Sequence, residues 1–474
     1  MQRYRVNYVL LIALVVGFFA SAGAAYGLWK FQVDRNANRL LAKADAAAAS
    51  GDVQQVFESL AQYVQLRPKE TDARIRLGDA AVKVAELPEI DNELRAMAYQ
   101  TVLAAVRETD DPKLRRQLVD VQTKFGMADV ALININQLLD GGHGDAELKA
   151  LKAECLFATQ KGADGVKWCN QLVGYDPKTD TFDPAKAEGK QFPKVYALLA
   201  QHLHSNRQPE LSKRVIEEML KANPDSREAH VIEYQFAKLS DDQEGARAAL
   251  EKAYKIEPTD AIVLTLKGVE SVVDFQKEFA VAEGADAAEK RKEAGKHLDE
   301  AAKYFSDAVK RYPDRMDLYE RAARVELFRE KPEVALAVIQ QGLDKFPLKT
   351  EIDGTGLPRA VHLANLKAEI LVGQKKFDEV REMAKELRGL NNPRLAAVAE
   401  FHEARLAAIE EKWAEAASRL QKVRTRLVGF TELEALAGAI QGFCHTQLGQ
   451  LDLALDAYEW ALQKNPDLAQ AKVG

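Results

Sequence analysis

Cysteine is scarce in this chain. Three residues in 474, Cys155, Cys169 and Cys444, are too few for a disulfide framework, and no two have the Cys-x-x-Cys spacing of zinc or redox sites. They read as small core residues; a single Cys155–Cys169 bridge stays open for an oxidising compartment. Aromatic residues make up only 7%, so aliphatic and small side chains must fill the core. Blocks of one charge sign are missing too. Lys plus Arg at 66 against Asp plus Glu at 72 gives a net charge of −6 with both signs interspersed, which removes the electrostatic footprint of a nucleic-acid binder.

Catalytic constellations are equally absent. His402-Glu-Ala-Arg-Leu406 begins like a zinc-peptidase helix but places Leu where the second His must stand, so His402 reads as a surface histidine. His202 and His204, two apart, point to different faces of a helix. Gly141-Gly-His-Gly144 has no following Lys-Ser or Lys-Thr and reads as a helix C-cap turn. Asp176, Asp180 and Asp183 lack the glycine and terminal glutamate of a calcium loop and read as an ordinary polar loop. No catalytic residue, cofactor, metal or small-molecule substrate is expected, and the chain reads as a non-enzyme.

What is present is helix-forming: Ala, Leu, Glu, Lys and Gln dominate. Val6 to Trp29 carries no charge, and at about 1.5 Å per residue it spans a hydrocarbon core of about 30 Å. Tyr8, Tyr26 and Trp29 sit near its ends, flanked by Arg3, Arg5 and Lys30. The expected organisation is a basic tail at 1–5, a transmembrane anchor at 6–29 and a helical body at 30–474. The short basic tail favours an inside N-terminus and an extracytoplasmic, periplasmic body. The alternative is a signal cleaved after Ala20-Ser-Ala22 or Ala22-Gly-Ala24.

Self-similarity organises the rest. Pro224 to Pro258 and Pro313 to Pro347 are both 34 residues. Setting each such proline at position 32 puts Ala246, Ala301, Ala335 and Ala454 at position 20, and Leu60, Ile216, Leu250, Phe305, Ile339 and Tyr458 at position 24. Ala253, Ala308, Ala461 and Gly342 then fall at position 27, with Gly268 and Gly442 at position 8. Val56 and Ser212 at position 20, and Tyr63 and Met219 at position 27, depart from the pattern.

This pattern resembles the tetratricopeptide repeat, in which small residues let two antiparallel helices approach closely. The resemblance implies an all-α, right-handed superhelical α-solenoid of about eleven hairpins. They are expected to begin near Asp34, Thr71, Lys113, Asp145, Pro193, Ser226, Asp260, Arg315, Pro358, Pro393 and Glu432. Such proteins bind through first helices, so the resemblance points to Lys194, Gln201, His204, Glu228, Gln235, Lys238, Glu320 and Arg324 as the candidate groove. The carboxylate clamp of chaperone-tail binders is missing: Ala197, Val231, Glu320 and Ala439 stand where its Lys belongs.

Departures from the period mark additions. Pro177 to Pro224 is 47 residues and reads as an exposed loop near 176–192, while Pro258 to Pro313 is 55 and reads as one hairpin near 260–312 with both helices lengthened around a turn at Gly284-Ala-Asp. After Pro466 another first helix begins without a polar cap, so the chain is expected to continue. The expected function is that of a membrane-anchored scaffold for protein partners, resembling bacterial single-span repeat proteins. The alternative is a recruiting arm of an enzyme or envelope assembly whose catalytic part lies elsewhere.

Overall fold

The computed structural model describes residues 8–87, 90–282, 286–349 and 360–474. The chain forms two compact units, residues 1–232 and 233–474. In the first, Tyr8–Ser50 pairs with Val53–Leu66, Thr71–Ala85 with Asn92–Thr109, Pro112–Lys124 with Ala128–Asp140, Ala146–Ala158 with Gly162–Val173, and Pro193–Ser205 with Pro209–Ala222. Arg227–Leu239 carries the unit boundary and precedes Gln243–Ile256. In the second unit follow Ala261–Ala280 with Ala287–Arg311, Met316–Phe328 with Pro332–Lys345, Val361–Gly373 with Phe377–Gly389, Pro393–Ile409 with Trp413–Val423, Thr431–Gln447 with Leu451–Lys464, and a short Ala469–Val473.

Local chemistry sets these ends. Asp52, Asp91, Asp111, Asp145, Asp242, Asp260 and Asn392 are N-caps whose side chains accept from backbone N–H groups of the first turn. Pro112, Pro193, Pro209, Pro332 and Pro393 begin helices, where a missing N–H costs nothing. Eight hairpins turn in the same three residues, the middle one left-handed: Gly126, Gln160, Arg207, Asp241, Glu330, Lys375, Glu411 and Gly449, with φ of 56–71°. The third residue's N–H then bonds five residues back, as in Met127 to Gln122 O at 2.8 Å and Lys412 to Ala407 O at 2.9 Å. That is the Schellman bond, which satisfies a carbonyl left open at the helix end.

The core sits between paired helices and is made of the small and aliphatic residues expected there. Ala246, Ala301, Ala335 and Ala454 are buried, as are Leu60, Leu250, Phe305, Ile339, Ala253, Ala308 and Ala461. A Cβ on Gly268 would lie 2.7 Å from the Phe305 ring, and one on Gly442 2.8 Å from the Tyr458 ring. Ser212, polar at a small position, is buried and donates to Ala200 O at 2.8 Å. These are hairpins of the tetratricopeptide type, stacked within each unit as an α-solenoid.

The structure departs from expectation in several places. The all-α reading misses a two-stranded ribbon at the insertion, where Tyr175–Asp176 pairs antiparallel with Thr181–Phe182. It forms because Tyr175 and Phe182 stack at 4.8 Å and Asp180 binds the Arg214 guanidinium at 2.9 Å. The lengthened hairpin has helices of 20 and 25 residues, against 13 and 14 in the next pair. Those increments of 7 and 11 residues (20 − 13 and 25 − 14) extend it by about 10–16 Å at the usual helical rise. Its expected turn residues Gly284 and Ala285, and the expected hairpin start at Pro358, lie outside the described residues.

At the N-terminus no break separates the expected anchor from the first repeat helix, since Tyr8–Ser50 is continuous. Among the described residues no helix is long and apolar enough to cross a membrane. Val6 and Asn7 lie outside those residues, as do the side chains of residues 8–13, 15, 19 and 20, which include most of the strongly apolar run.

The thiols of Cys155, Cys169 and Cys444 are all free and buried, so the Cys155–Cys169 bridge is not formed.

Candidate partner-binding groove

First helices carry apolar residues on the face toward their hairpin partner, which leaves polar residues at i, i+3, i+4 and i+7 on the opposite face. In the first unit that spacing places Val82, Lys83 and Glu86 on one helix and Arg116, Gln117, Asp120, Thr123 and Lys124 on the next first helix. Glu147, Ala150, Leu151 and Glu154 follow on a third. Together with Phe192, Lys194 and Glu228 they line one cleft of about 680 Å³. Five successive first-helix segments thus contribute to a single concavity.

Two of the eight candidates, Lys194 and Glu228, stand in this cleft. Gln201 is exposed and His204 half-buried on the helix of Lys194. In the second unit Gln235 is exposed, and Lys238 is occupied: its ammonium meets Glu270 at 3.0 Å while the Tyr234 hydroxyl donates to the same carboxylate at 2.6 Å. Burial pushes the Glu270 carboxyl up, but these two donors outweigh it and hold it below the ordinary glutamate range. Glu320 and Arg324 bond to each other at 2.8 Å along one helix turn. Four of the eight thus belong to the first unit and four to the second.

Most cations of the cleft are bonded within its walls. Lys124 pairs with Glu86, Lys194 reaches Glu154 at 3.9 Å, and Arg116 spreads over Asp120 at 3.4 Å, Glu147 at 3.3 Å and Asp145 at 3.7 Å. Asp120 is half-buried, and burial holds its carboxyl above the ordinary aspartate range despite Arg116. The Gln117 side-chain oxygen is buried with no hydrogen bond, as is one Asp79 oxygen a turn before Lys83.

Sequence reasoning missed Lys83, Arg116, Gln117 and Asp120, because the repeats holding them lack the registering proline. Their spacing opposite Leu114, Leu118 and Val121, all buried, was the available signal.

His402 is a correction. It is fully buried, not on the surface, with neither ring nitrogen bonded, and burial depresses its pKa to about 3. The aspartates of the insertion are taken up locally: Asp180 by Arg214, Asp176 by the N–H of Lys178 and Asp183 by the N–H of Ala185. Among the described residues no group of His, Cys, Asp and Glu side chains is arranged to hold a metal ion.

No family model matches the chain, and no curated protein matches it in sequence. Solved structures that resemble it include a human IFIT1 dimer with m7Gppp-AAAA, at 15% identity and TM-score 0.39 over 92% of this chain and 95% of that one. Yeast Tom70 is similar at 16% identity and TM-score 0.36, covering 93% and 96%. Pseudomonas aeruginosa PilF is similar at 14% and 0.35, covering 60% and 97%. At those scores the partners of these proteins carry no argument for this one.

Proposed function

We propose that this chain is a membrane-anchored interaction scaffold that holds a partner polypeptide in the first-helix cleft of residues 1–232 and acts by binding rather than catalysis. The observation that carries the reading is the cleft itself, long enough to draw on five consecutive first-helix segments and lined mostly by charged side chains, with Val82, Ala150, Leu151 and Phe192 among them. Anchoring is supported by the uncharged run from Val6 to Trp29 and by Leu14, Val16, Phe18, Tyr26, Leu28 and Trp29, each more than half exposed in the structure. Exposed apolar surface on that scale is costly in water and favourable in lipid. The short basic tail supports an inside N-terminus and extracytoplasmic repeats.

A photo-cross-linking side chain at exposed Lys83, on the cleft, is expected to capture a polypeptide in intact cells, and one at exposed Lys213, on a second helix, is not. Equal capture at both sites, or none at Lys83, refutes the groove. Removing residues 1–29 is expected to release the chain from the membrane fraction. Retention there overturns the anchor, and resistance of the repeats to external protease in outer-membrane-permeabilised cells overturns the orientation.

A further inference from the structure

The walls of this cleft are short of hydrogen-bond donors. Its lining residues include five carboxylates, those of Glu86, Asp120, Glu147, Glu154 and Glu228, against four cations. Three of the cations are already engaged by wall carboxylates, and the fourth, Lys83, stands exposed at the surface.

Besides Lys83 and the Arg116 Nη1, a buried donor with no hydrogen bond, what remains open is of the opposite kind. Asp120 has one oxygen toward Arg116 at 3.4 Å, a long contact, and its other oxygen has no bonded partner among the described residues. Gln117, one turn earlier on the same helix, has its carbonyl oxygen buried without a donor. Glu228 has no ion pair among the described residues. A buried acceptor without a donor is unfavourable, and a ligand donor would offset that. Half-buried Leu151 beside these groups offers apolar surface to an alkyl stem.

Resting on the groove reading above, we propose that the cleft selects an extended peptide segment bearing Lys or Arg, whose cationic head bonds Asp120 and the Gln117 oxygen while its stem lies along Leu151. An acidic segment would meet a net excess of carboxylates, and beyond Lys83 it would have to break existing pairs to reach a cation of the wall.

The test uses the full chain in detergent micelles and labelled peptides of one Gly-Ser backbone carrying three Lys, three Arg, three Gln or three Glu, followed by fluorescence anisotropy. The Lys and Arg peptides are expected to bind, the Gln peptide about tenfold more weakly or worse, and the Glu peptide not at all. Asp120→Asn is expected to weaken the Lys peptide by about tenfold, as befits a partly buried charge-assisted bond. Glu379→Gln, which removes the same charge from an exposed helix of the other unit, is expected to leave it unchanged. The Glu379 control separates the site from general attraction to an acidic protein.

Tighter binding of the Glu peptide, or equal effects of the two substitutions, overturns the proposal. Capture from Lys83 that persists under excess Lys peptide leaves the groove standing and overturns only the basic class. No capture and no peptide binding overturns both.

Discussion

The close approach of paired helices at Gly268 can be tested by adding one methyl group. In an open helix interior, Gly→Ala is favourable by about 0.8–1 kcal/mol, because glycine loses more backbone freedom on folding. At Gly268 the new Cβ falls 2.7 Å from two carbons of the Phe305 ring and 3.1 Å from a third. That ring is only 2% exposed and packs among Ala301, Ala322 and Val325, so it has little room to retreat. Overpacking of this kind costs about 1–3 kcal/mol. The balance is a net loss of about 1 kcal/mol.

Gly295, in the partner helix Ala287–Arg311, has nothing within 4 Å of its added Cβ, so there Gly→Ala is expected to stabilise by about 0.8 kcal/mol. Repeat arrays rarely unfold in one step, which makes local hydrogen exchange a better assay than a global melt. Amides of Ala261–Ala280 and Ala287–Arg311 are expected to exchange about fivefold faster in Gly268→Ala and several-fold slower in Gly295→Ala. Adding Phe305→Leu to Gly268→Ala is expected to cost less than the sum of the two, since the shorter side chain yields the space. Slower exchange in both single variants would refute the reasoning.

Other expectations follow from the turns, the buried histidine and the thiols. Gly449 is left-handed with φ 71° and nothing near its Cβ, so Gly449→Ala should destabilise its hairpin by about 0.5–1 kcal/mol, while Glu411→Gly at φ 62° should stabilise by up to a similar amount, both read by hydrogen exchange. His402 has its pKa lowered from 6.5 to about 3 by burial. The unfolded chain therefore binds a proton that the folded one refuses, and stability falls as pH drops below 6.5, with the full loss reached near 3. At about pH 5 the loss amounts to about 2 kcal/mol, and His402→Leu should abolish this part of the pH dependence; an unchanged urea-midpoint profile would count against it. Burial pushes the thiols of Cys155, Cys169 and Cys444 up to about 11, 12 and 11, so a disulfide reagent at mildly alkaline pH should label none of the three until the chain is denatured.

The hairpins were legible because their ends are written in local chemistry. Asp111 before Pro112, Asp145 before Ala146 and Asn392 before Pro393 announce helix starts with side chains that cap them. The turns between paired helices were harder to see. Six of the eight left-handed positions hold Gln, Arg, Asp, Glu or Lys where glycine would have been the signal. Neighbouring helices that must pack hold those residues in place.

His402 was misread for a different reason. Comparison with a metal motif drew attention to Leu406 as a missing ligand, whereas Leu395, Val398, Ala399, His402 and Leu406 form one buried stripe at helical spacing. The periodicity contained the correct answer, and a polar residue on that stripe should have been assigned to the interior.

Pairings between repeats were the least legible, and they decide what the surface can bind. Lys124 with Glu86, Lys194 with Glu154, Lys238 with Glu270 and Arg329 with Asp299 join residues 30–40 apart in sequence, so no local pattern reveals them. Each exposed pair of this kind contributes at most about 1 kcal/mol to stability. Their larger effect is on recognition, because a side chain already paired offers a partner only the difference between the old bond and the new one. A groove read from sequence as a row of charges is therefore mostly self-neutralised in the fold. Discrimination falls to the groups left over, which in the cleft of residues 1–232 include the acceptors of Asp120, Gln117 and Glu228 and, among the cations, Lys83. This inverts the usual weighting of a repeat groove. Side chains already paired are the weaker guide to what a groove can bind, and the groups left unpaired between them are the stronger one.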